Sequence, residues 1–566
     1  MCGIYGIVGK TTTVDLLDSL QRLEYRGYDS CGISYIYKNR SFLYKTIGNT
    51  SQLRKLVKNV EISCAIGHTR WATHGEVSAI NAHPHTSNKR RFFVVHNGVI
   101  DNYAELKEKY NFSFISNTDS EIIVHLLDMY TQKYNTIEAI KRILMEISGS
   151  FAVVILDKTE NDTLYFMKNK SPLLIALDQK KIALASDQCV FDTKMNVTIL
   201  NDNNYGYIKG HNYQILSLNS NERWNTFYKD VNTKIKRLSD YYMLDEMKYE
   251  PFMIEDIAKN FIKIDTDDYL KNLIDANEIV FVGAGSSYYA SSILATLYEN
   301  KLDKRVFSVV ASEIKNFKLL SKNIIFIILS QSGETADLCE AVNYLKEKNY
   351  KIISLCNNVN SSLGYNSDII YPLFAKSEIS VASTKALTAM IFVGMLLLNK
   401  QFYCLKSKKI ADDLRKVFLK WEQINQISTI VAKSQTVFYL GKGIDYFLAL
   451  EGALKLREIT YLSAFSFYSG ELKHGSIALI DNNSVCIAII TDSNITKVVK
   501  SNIEEVKSRG GKTFIISNCI TDADIFVDGG ILSVILVLQI IAYQTALLLN
   551  RNIDQPRNLA KSVTVL

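Results

Sequence analysis

A cysteine stands second in the chain, in Met1-Cys2-Gly3-Ile4. Once Met1 is removed, Cys2 carries a thiol and a free α-amine. An α-amine titrates at about 7.7–8.0, so near neutrality it can take the thiol's proton, and one residue supplies nucleophile and base. Position alone favours a cysteine that merely begins a strand. Three further groups suit amide chemistry: His68-Thr69-Arg70-Trp71-Ala72-Thr73-His74-Gly75, His96-Asn97-Gly98 and Thr118-Asp119-Ser120-Glu121. Arg70 can clamp a carboxylate. Asp119 can hold an ammonium. The Asn97 amide beside the Gly98 N–H offers two donors to an oxyanion. Those are the parts needed to bind free glutamine and cleave its side-chain amide. Each also has a plainer reading: a surface ion pair for Arg70, a turn for Asn97-Gly98, a helix cap for Asp119. His83-Pro84-His85 lacks metal-ligand spacing and reads as structural.

A second set of residues suits sugar-phosphate chemistry. Ser330-Gln331-Ser332-Gly333-Glu334-Thr335 follows the apolar run Ile324–Leu329. Hydroxyls and successive amides at a helix start can cradle a phosphate without a lysine; an ordinary N-cap is the alternative. Ser286 and Ser287, after Gly283-Ala284-Gly285, can reach the same crevice. Lys455 and Glu458 are three apart and share a helix face, as a working pair or a surface salt bridge. Gly470-Glu471-Leu472-Lys473-His474-Gly475 adds a histidine, and Asp554-Gln555-Pro556-Arg557-Asn558-Leu559-Ala560-Lys561 adds a lysine. A histidine to open a ring, a carboxylate to move a proton between adjacent carbons and an amine to form an imine suit an aldose–ketose conversion.

The elements that must position these groups are of two kinds. The first 220 or so residues hold short β-type runs (Ile4–Val8, Gly32–Tyr37, Cys64–His68, Phe92–His96, Phe151–Leu156, Leu164–Met167, Lys181–Ala185) broken by helical patterns at Val14–Leu23 and Glu121–Tyr130, an α+β pattern. Asn225 to Asp256 is polar, contains Pro251 and reads as a connection. The remainder repeats. Strand Glu278–Val282, Gly283-Ala284-Gly285 and a helix recur 158 residues later as Thr436–Leu440, Gly441-Lys442-Gly443 and a helix. Ile324–Leu329 recurs as Val485–Ile490, and Lys351–Leu355 as Lys512–Ser517. Two doubly wound α/β modules with parallel sheets are predicted. Ligands then sit beyond the strand ends at Val282, Leu329, Leu440 and Ile490. The glycine turns lack a third glycine and are poor dinucleotide fingerprints.

Composition narrows the class. The 566 residues are 47% hydrophobic and 22% charged, which excludes a chain disordered throughout. A net charge of +7 with no Lys/Arg block argues against a nucleic-acid arm. Nine cysteines without a Cys-x-x-Cys pair suggest neither zinc nor a disulfide framework, and point to a reducing cytosol. No leader pattern is expected. Gly529 to Asn550 is uncharged and long enough to span a bilayer, but Gln539 and Gln544 within it favour a buried helix; Ala386 to Leu398 reads as another.

Together and in this order, the N-terminal motifs resemble the class II glutamine amidotransferase domain, over about residues 2–220. The resemblance implies an N-terminal-nucleophile αββα sandwich, with Cys2 as nucleophile and Asn97 with the Gly98 amide as oxyanion hole. It implies Arg70, Thr73, His74, Gly98 and Asp119 as the glutamine pocket, and Trp71 as a gate on the ammonia path. The C-terminal half resembles a tandem of sugar-isomerase (SIS) modules, carried by Ser330–Thr335, Val381-Ala382-Ser383-Thr384-Lys385, Gly470–Gly475 and Asp554–Val565. It implies phosphate binding by Ser287, Ser330, Gln331, Ser332 and Thr335, and sugar contacts from Ser286, Val381 and Ser383. Glu458 would be the isomerisation base, assisted by Lys455, with His474 opening the ring and Lys561 forming a Schiff base. Ser380 stands where the family usually has glycine, and Ser476 where it has proline.

Joined on one chain, the two resemblances imply an isomerising aminotransferase. It would free ammonia from glutamine, channel it internally to fructose 6-phosphate and yield glucosamine 6-phosphate, the first step of amino-sugar synthesis. Only small-molecule substrates are expected, with no metal, cofactor, nucleic acid or membrane, in a cytoplasmic homodimer whose histidine reaches the neighbouring subunit's site. The expected divisions are 2–224 for the amidotransferase domain, 225–256 for a connector, 257–410 and 411–556 for the SIS modules and 557–566 for a tail. A related enzyme acting on another sugar phosphate and a non-catalytic sensor are the rivals; intact Cys2, Glu458, His474 and Lys561 speak against the sensor.

Overall fold

The computed structural model describes residues 2–178, 180–191, 195–219, 224, 226–229, 237–318 and 323–563. Met1, residue 225 at the expected first division and residues 564–566 of the expected tail lie outside them. The chain divides into two compact units, residues 1–234 with 562–566, and 235–561.

In the first unit, strand Gly3–Thr12 is apolar on both sides. Tyr5 and Ile7 point into one core cluster and Ile4 and Val8 into another, the period-two alternation of a strand covered on both faces. It lies inside an eight-stranded sheet, between Lys181–Ala185 and Glu61–Arg70, antiparallel to both. Ile4, Val8 and Ile66 of this sheet share a core with Phe93, Val95 and Val154 of a second, six-stranded sheet, so the two sheets pack face to face. Helix Thr13–Gln21 seals the outer face of the first sheet with Leu16, Leu17 and Leu20. Thr12 and Asp15 cap its start reciprocally. Helices Glu121–Tyr130 and Thr136–Glu146 cover the second sheet with Ile122, Leu126, Ile140 and Ile143. The layers run α, β, β, α.

The second unit contains two five-stranded sheets, parallel throughout. In spatial order the first is Arg305–Val310, Glu278–Gly283, Ile324–Ser330, Lys351–Cys356, Ile369–Pro372. The second is Ser463–Tyr468, Thr436–Gly441, Ser484–Ile490, Lys512–Ser517, Ile525–Phe526. Each sheet has the strand order 2-1-3-4-5. The order reverses between strands 1 and 3, and the crevice beyond their carboxyl ends is where such sheets bind ligands. In the first module it lies between Gly283–Ser287 and Ser330–Thr335.

One stretch differs from its sequence reading. Beginning in the expected connection and running five residues past its end, Tyr242–Phe261 is a 20-residue helix with Pro251 inside it. Met243, Met247, Ile254, Ile257 and Phe261 line its buried face and join the core of the second unit, while polar residues on the other face mask the pattern. Tyr241 offers no capping side chain. Instead Asp554 accepts from the N–H groups of Tyr242 and Met243, at 2.8 and 3.0 Å. The apolar stretch at Gly529–Asn550 is the helix Ile531–Leu548, long and apolar enough to cross a membrane, with 83% of that window buried inside the protein. Gln544 is satisfied there, accepting from Ser428 Oγ at 3.2 Å and donating to the Trp421 carbonyl at 3.1 Å.

Two candidate active sites

Strand register brings Cys2 to the end of Glu61–Arg70, where Gly3 pairs with Thr69. The Trp71 N–H donates to Cys2 Sγ at 3.4 Å, and the thiol donates to the Trp71 carbonyl at 3.5 Å. Burial pushes the thiol above its ordinary range, although Arg70 acts against this. Asn97 Nδ2 donates to the Cys2 carbonyl at 3.0 Å. Asn97 and Gly98 form no turn; they lie within strand Phe92–Ile100, paired with Ala152 and Phe151. Gly98 has φ +122°, and a Cβ there would meet the Ser150 carbonyl oxygen at 1.8 Å, so only glycine fits.

Arg70 is not on the surface. It is buried, and its guanidinium donates to the carbonyls of His74 (2.5 Å), Gly75 (3.2 Å) and Glu76 (3.3 Å). It thereby shapes the loop that bears the half-buried His74 and the exposed Thr73. Asp119 does not cap the following helix with its side chain; its carboxylate accepts the Ile100 N–H at 2.8 Å. It faces Arg70 and His96 electrostatically. His83 and His85 are buried beside His68, with ring centroids 4.2 Å apart for His68–His83 and 4.5 Å for His83–His85. Among the described residues no cluster has the arrangement of a metal site.

Two supports of this site were not read from the sequence. Arg26, buried, donates to the Cys2 carbonyl at 3.2 Å and pairs with Asp187 at 3.1 Å. His68 Nε2 lies 3.1 Å from Asn97 Oδ1 and 2.9 Å from the His96 carbonyl. The run Tyr25-Arg26-Gly27-Tyr28-Asp29, charged residues among aromatics, was the available signal for the first.

The second site gathers five segments of the other unit. Beyond strand Ile324–Ser330, Ser330 Oγ accepts the Gly333 N–H at 2.9 Å and Ser332 Oγ the Glu334 N–H at 3.1 Å. Thr335 precedes helix Ala336–Glu347 without capping it by its side chain. Ser287 and Gln331 are half-buried at the same crevice. Ser286 Oγ donates to Glu451 Oε1 at 3.2 Å, which ties the first module's turn to helix Ile444–Thr460 of the second. On that helix Glu451, Lys455 and Glu458 form one row. Lys455 is fully buried, 3.5 Å from Glu451 and 2.5 Å from Glu458; it is no surface salt bridge. Burial alone would lower the Lys455 ammonium, but the two carboxylates outweigh it and hold it above its ordinary value. Glu451, unnoticed in the sequence, is pushed up to about 7, chiefly by burial.

Val381 donates its N–H to the Asp554 carbonyl at 3.0 Å, and Ser383 Oγ donates to Glu378 at 3.3 Å. Lys561 is buried in an ion pair with Glu378. Charge links the groups, since Glu378 acts on Lys455. His474 is not part of this gathering. It is exposed, on the turn between the short helices Glu471–Lys473 and Ser476–Leu479. Ser380 is buried and donates its N–H to Glu246 at 3.2 Å.

Comparison with known proteins adds the following. A glutamine amidotransferase domain model matches residues 68–192, and a SIS domain model matches 272–400 and 430–523. Isomerising glutamine–fructose-6-phosphate aminotransferases of Listeria innocua and Halalkalibacterium halodurans are 38% and 36% identical over 602 and 601 residues, covering 100% of both chains in each case. Among solved structures, the C-terminal domain of glucosamine-fructose-6-phosphate aminotransferase from Francisella tularensis matches with a TM-score of 0.53 and 30% identity, covering 56% of this chain and 99% of that one.

Proposed function

The chain belongs to the family of isomerising glutamine–fructose-6-phosphate aminotransferases, and from that premise we propose how its residues divide the reaction. The activity is the glutamine-dependent conversion of fructose 6-phosphate to glucosamine 6-phosphate, with glutamate as the second product. Cys2, freed of Met1, attacks the glutamine amide with its own α-amine as base. Asn97 and the Gly98 N–H receive the oxyanion. Arg70, Thr73, His74, Gly98 and Asp119 hold the amino-acid end, and Trp71 gates the released ammonia. Water then hydrolyses the thioester to glutamate.

Ammonia passes through the protein to a sugar phosphate held by Ser287, Ser330, Gln331, Ser332 and Thr335, with Ser286, Val381 and Ser383 on the sugar. His474 opens the ring. Lys561 condenses with the C2 ketone, losing water, and ammonia displaces the lysine from the imine. Glu458, steadied by Lys455, carries a proton from C1 to C2. The observation that carries this half is the bond from Ser286 to Glu451, which joins the hydroxyl-lined crevice to the Glu451–Lys455–Glu458 row. The exposure of His474 supports its service in the site of a second copy, hence a homodimer. Nine cysteines, none in a disulfide, accord with a cytoplasmic setting.

The test is mass spectrometry of the products from fructose 6-phosphate and amide-labelled glutamine. The label should appear in glucosamine 6-phosphate. Labelled free ammonium with unlabelled or unchanged sugar would overturn the coupling.

A further inference from the structure

The unit of residues 235–561 holds an acidic pair that the reaction above leaves unused. Glu246 lies on helix Tyr242–Phe261, and Glu378 on the segment before helix Lys385–Leu398; both are buried. Glu378 Oε1 is fixed by backbone, accepting the N–H groups of Thr384 at 3.0 Å and Ala386 at 2.9 Å. That leaves Oε2 for two donors, Ser383 Oγ at 3.3 Å and Lys561 Nζ. The Lys561 side chain is 3% exposed and that of Glu378 fully buried. Glu246 spends its oxygens on the N–H groups of Ile379 (2.5 Å) and Ser380 (3.2 Å) and on the Thr384 hydroxyl (3.2 Å). Asp554, on the segment that bears Lys561, accepts the Val381 N–H at 3.0 Å. The loop with the expected sugar contacts and the segment with the amine are thus latched together.

We propose that Glu378 is the positioning residue of Lys561: it parks the amine as an ammonium until a ketose phosphate engages the same loop and releases it. The inference rests on the reading of Lys561 as the imine-forming lysine. An amine condenses with a ketone only when neutral and free to turn its lone pair toward the carbonyl, whereas an ion pair out of water keeps it charged and still. Ser383 and Lys561 share one carboxylate oxygen, so a sugar hydroxyl that donates to the same oxygen competes with the lysine for it and loosens its grip. The charged and titratable groups around Glu378 are Lys561, Lys385 with Lys376 beyond it, Lys455 on helix Ile444–Thr460, and Glu246 and Glu250 on helix Tyr242–Phe261. Burial would raise Glu378, but the lysines outweigh it and hold its carboxyl below its ordinary value. Glu246 is pushed up to about 8 by burial and then by the charge on Glu378. Without Glu378 it can ionise in its neighbour's place.

The experiment is cyanoborohydride trapping of fructose 6-phosphate on the full chain across pH, with the adduct located by peptide mass spectrometry. The amine joins C2, the ketone oxygen leaves as water and hydride reduces the C=N bond. Glu378→Gln keeps an oxygen for Thr384 and Ala386 but loses the charge. Its acid limb of trapping should move down by about one pH unit or more, with a lower maximal rate. Glu378→Asp should return the limb to its wild-type place at a reduced rate. The double variant Glu246→Gln/Glu378→Gln removes the replacement charge and should shift the limb further. A limb at the wild-type pH in both the single Gln variant and the double variant overturns the proposal. Should the Gln variants not fold, Glu378→Asp decides: trapping at the wild-type rate overturns it, and a rate lowered about tenfold upholds it. A wild-type adduct on some other lysine overturns the reading of Lys561 itself, which separates the two failures.

Discussion

Asn97 is gripped at both ends of its amide, by His68 on Oδ1 and by the Cys2 carbonyl on Nδ2. His68 can donate to Oδ1 only as the Nε2–H tautomer, and burial above all holds its ring at about 3, so it stays neutral at any working pH. A flipped amide would set N–H against N–H, so His68 determines which end of Asn97 faces the nucleophile. Losing an oxyanion donor costs about 10²–10³ in kcat, and Asn97→Ala should slow glutamine hydrolysis by that order. His68→Leu removes only the orientation and should cost about tenfold in kcat, with KM for glutamine and the pH profile unchanged. A raised KM at constant kcat would assign His68 to binding instead. Cys2→Ala should abolish glutamine-dependent product while fructose 6-phosphate still binds, measured by calorimetry; product formed from glutamine would refute the role given to the thiol. Cys2 and Asn97 were legible because their chemistry is intrinsic to residue type. His68 was not, because it meets Asn97 only across the two stacked sheets.

The two modules repeat an element and then use it differently. Gly283 and Gly441 each sit where the backbone of the following helix passes closest, and a Cβ would meet the carbonyl of Ser287 at 2.5 Å or of Asp445 at 2.2 Å. Gly441→Ala should therefore destabilise by about 1–3 kcal/mol, seen as a lower denaturation midpoint. An unchanged midpoint would show that the helix start can shift at no cost. The same correspondence sets Asp445 in the place of Ser287. Its buried carboxylate, pushed up to about 6 chiefly by burial, accepts the Thr491 N–H at 2.8 Å and the Thr491 hydroxyl. The second crevice already holds a carboxylate of its own, so calorimetry should count one fructose 6-phosphate per chain; two would show it open. Helix Tyr242–Phe261 makes a pH argument. Glu250, bonded to Thr388 Oγ1 at 2.9 Å, is pushed up to about 8, chiefly by burial. An unfolded Glu titrates at about 4.3, so between there and pH 8 the folded state binds the extra proton and stability falls as pH rises. The melting-temperature advantage of Glu250→Gln over wild type should widen from pH 5 to pH 8 and then level off; a constant difference would show Glu250 ionised in the fold. The strands of both modules were legible from unbroken apolar runs between glycine turns. This helix was not, since Pro251 and a polar outer face hide a stripe of methionines and isoleucines.

At the scale of the whole molecule, His474 stands apart. Glu451, Lys455 and the pair Glu378–Lys561 are buried within one unit, with Glu458 half-buried beside them, yet the histidine assigned to ring opening is exposed. A ring-opening group must come within hydrogen-bond reach of the sugar, about 2.6–3.2 Å. If a second copy supplies it, each site takes His474 from one chain and Glu458 with Lys561 from the other, and two-fold symmetry builds two such sites. That arrangement is invisible to motif spacing, because spacing along one chain is silent on which copy completes a site. Co-expression of His474→Ala with Glu458→Gln tests it. In a mixed dimer, the chain with intact Glu458 meets the intact His474 of its partner and forms one whole site, while the other site carries both lesions. With random pairing, about a quarter of wild-type activity should return, although either variant alone is inactive. If His474 serves its own chain, every site in the mixture keeps one lesion and no activity returns. Assay of the separately tagged, co-purified mixed dimer distinguishes these outcomes, and a mixed dimer without activity would remove the second copy from the mechanism.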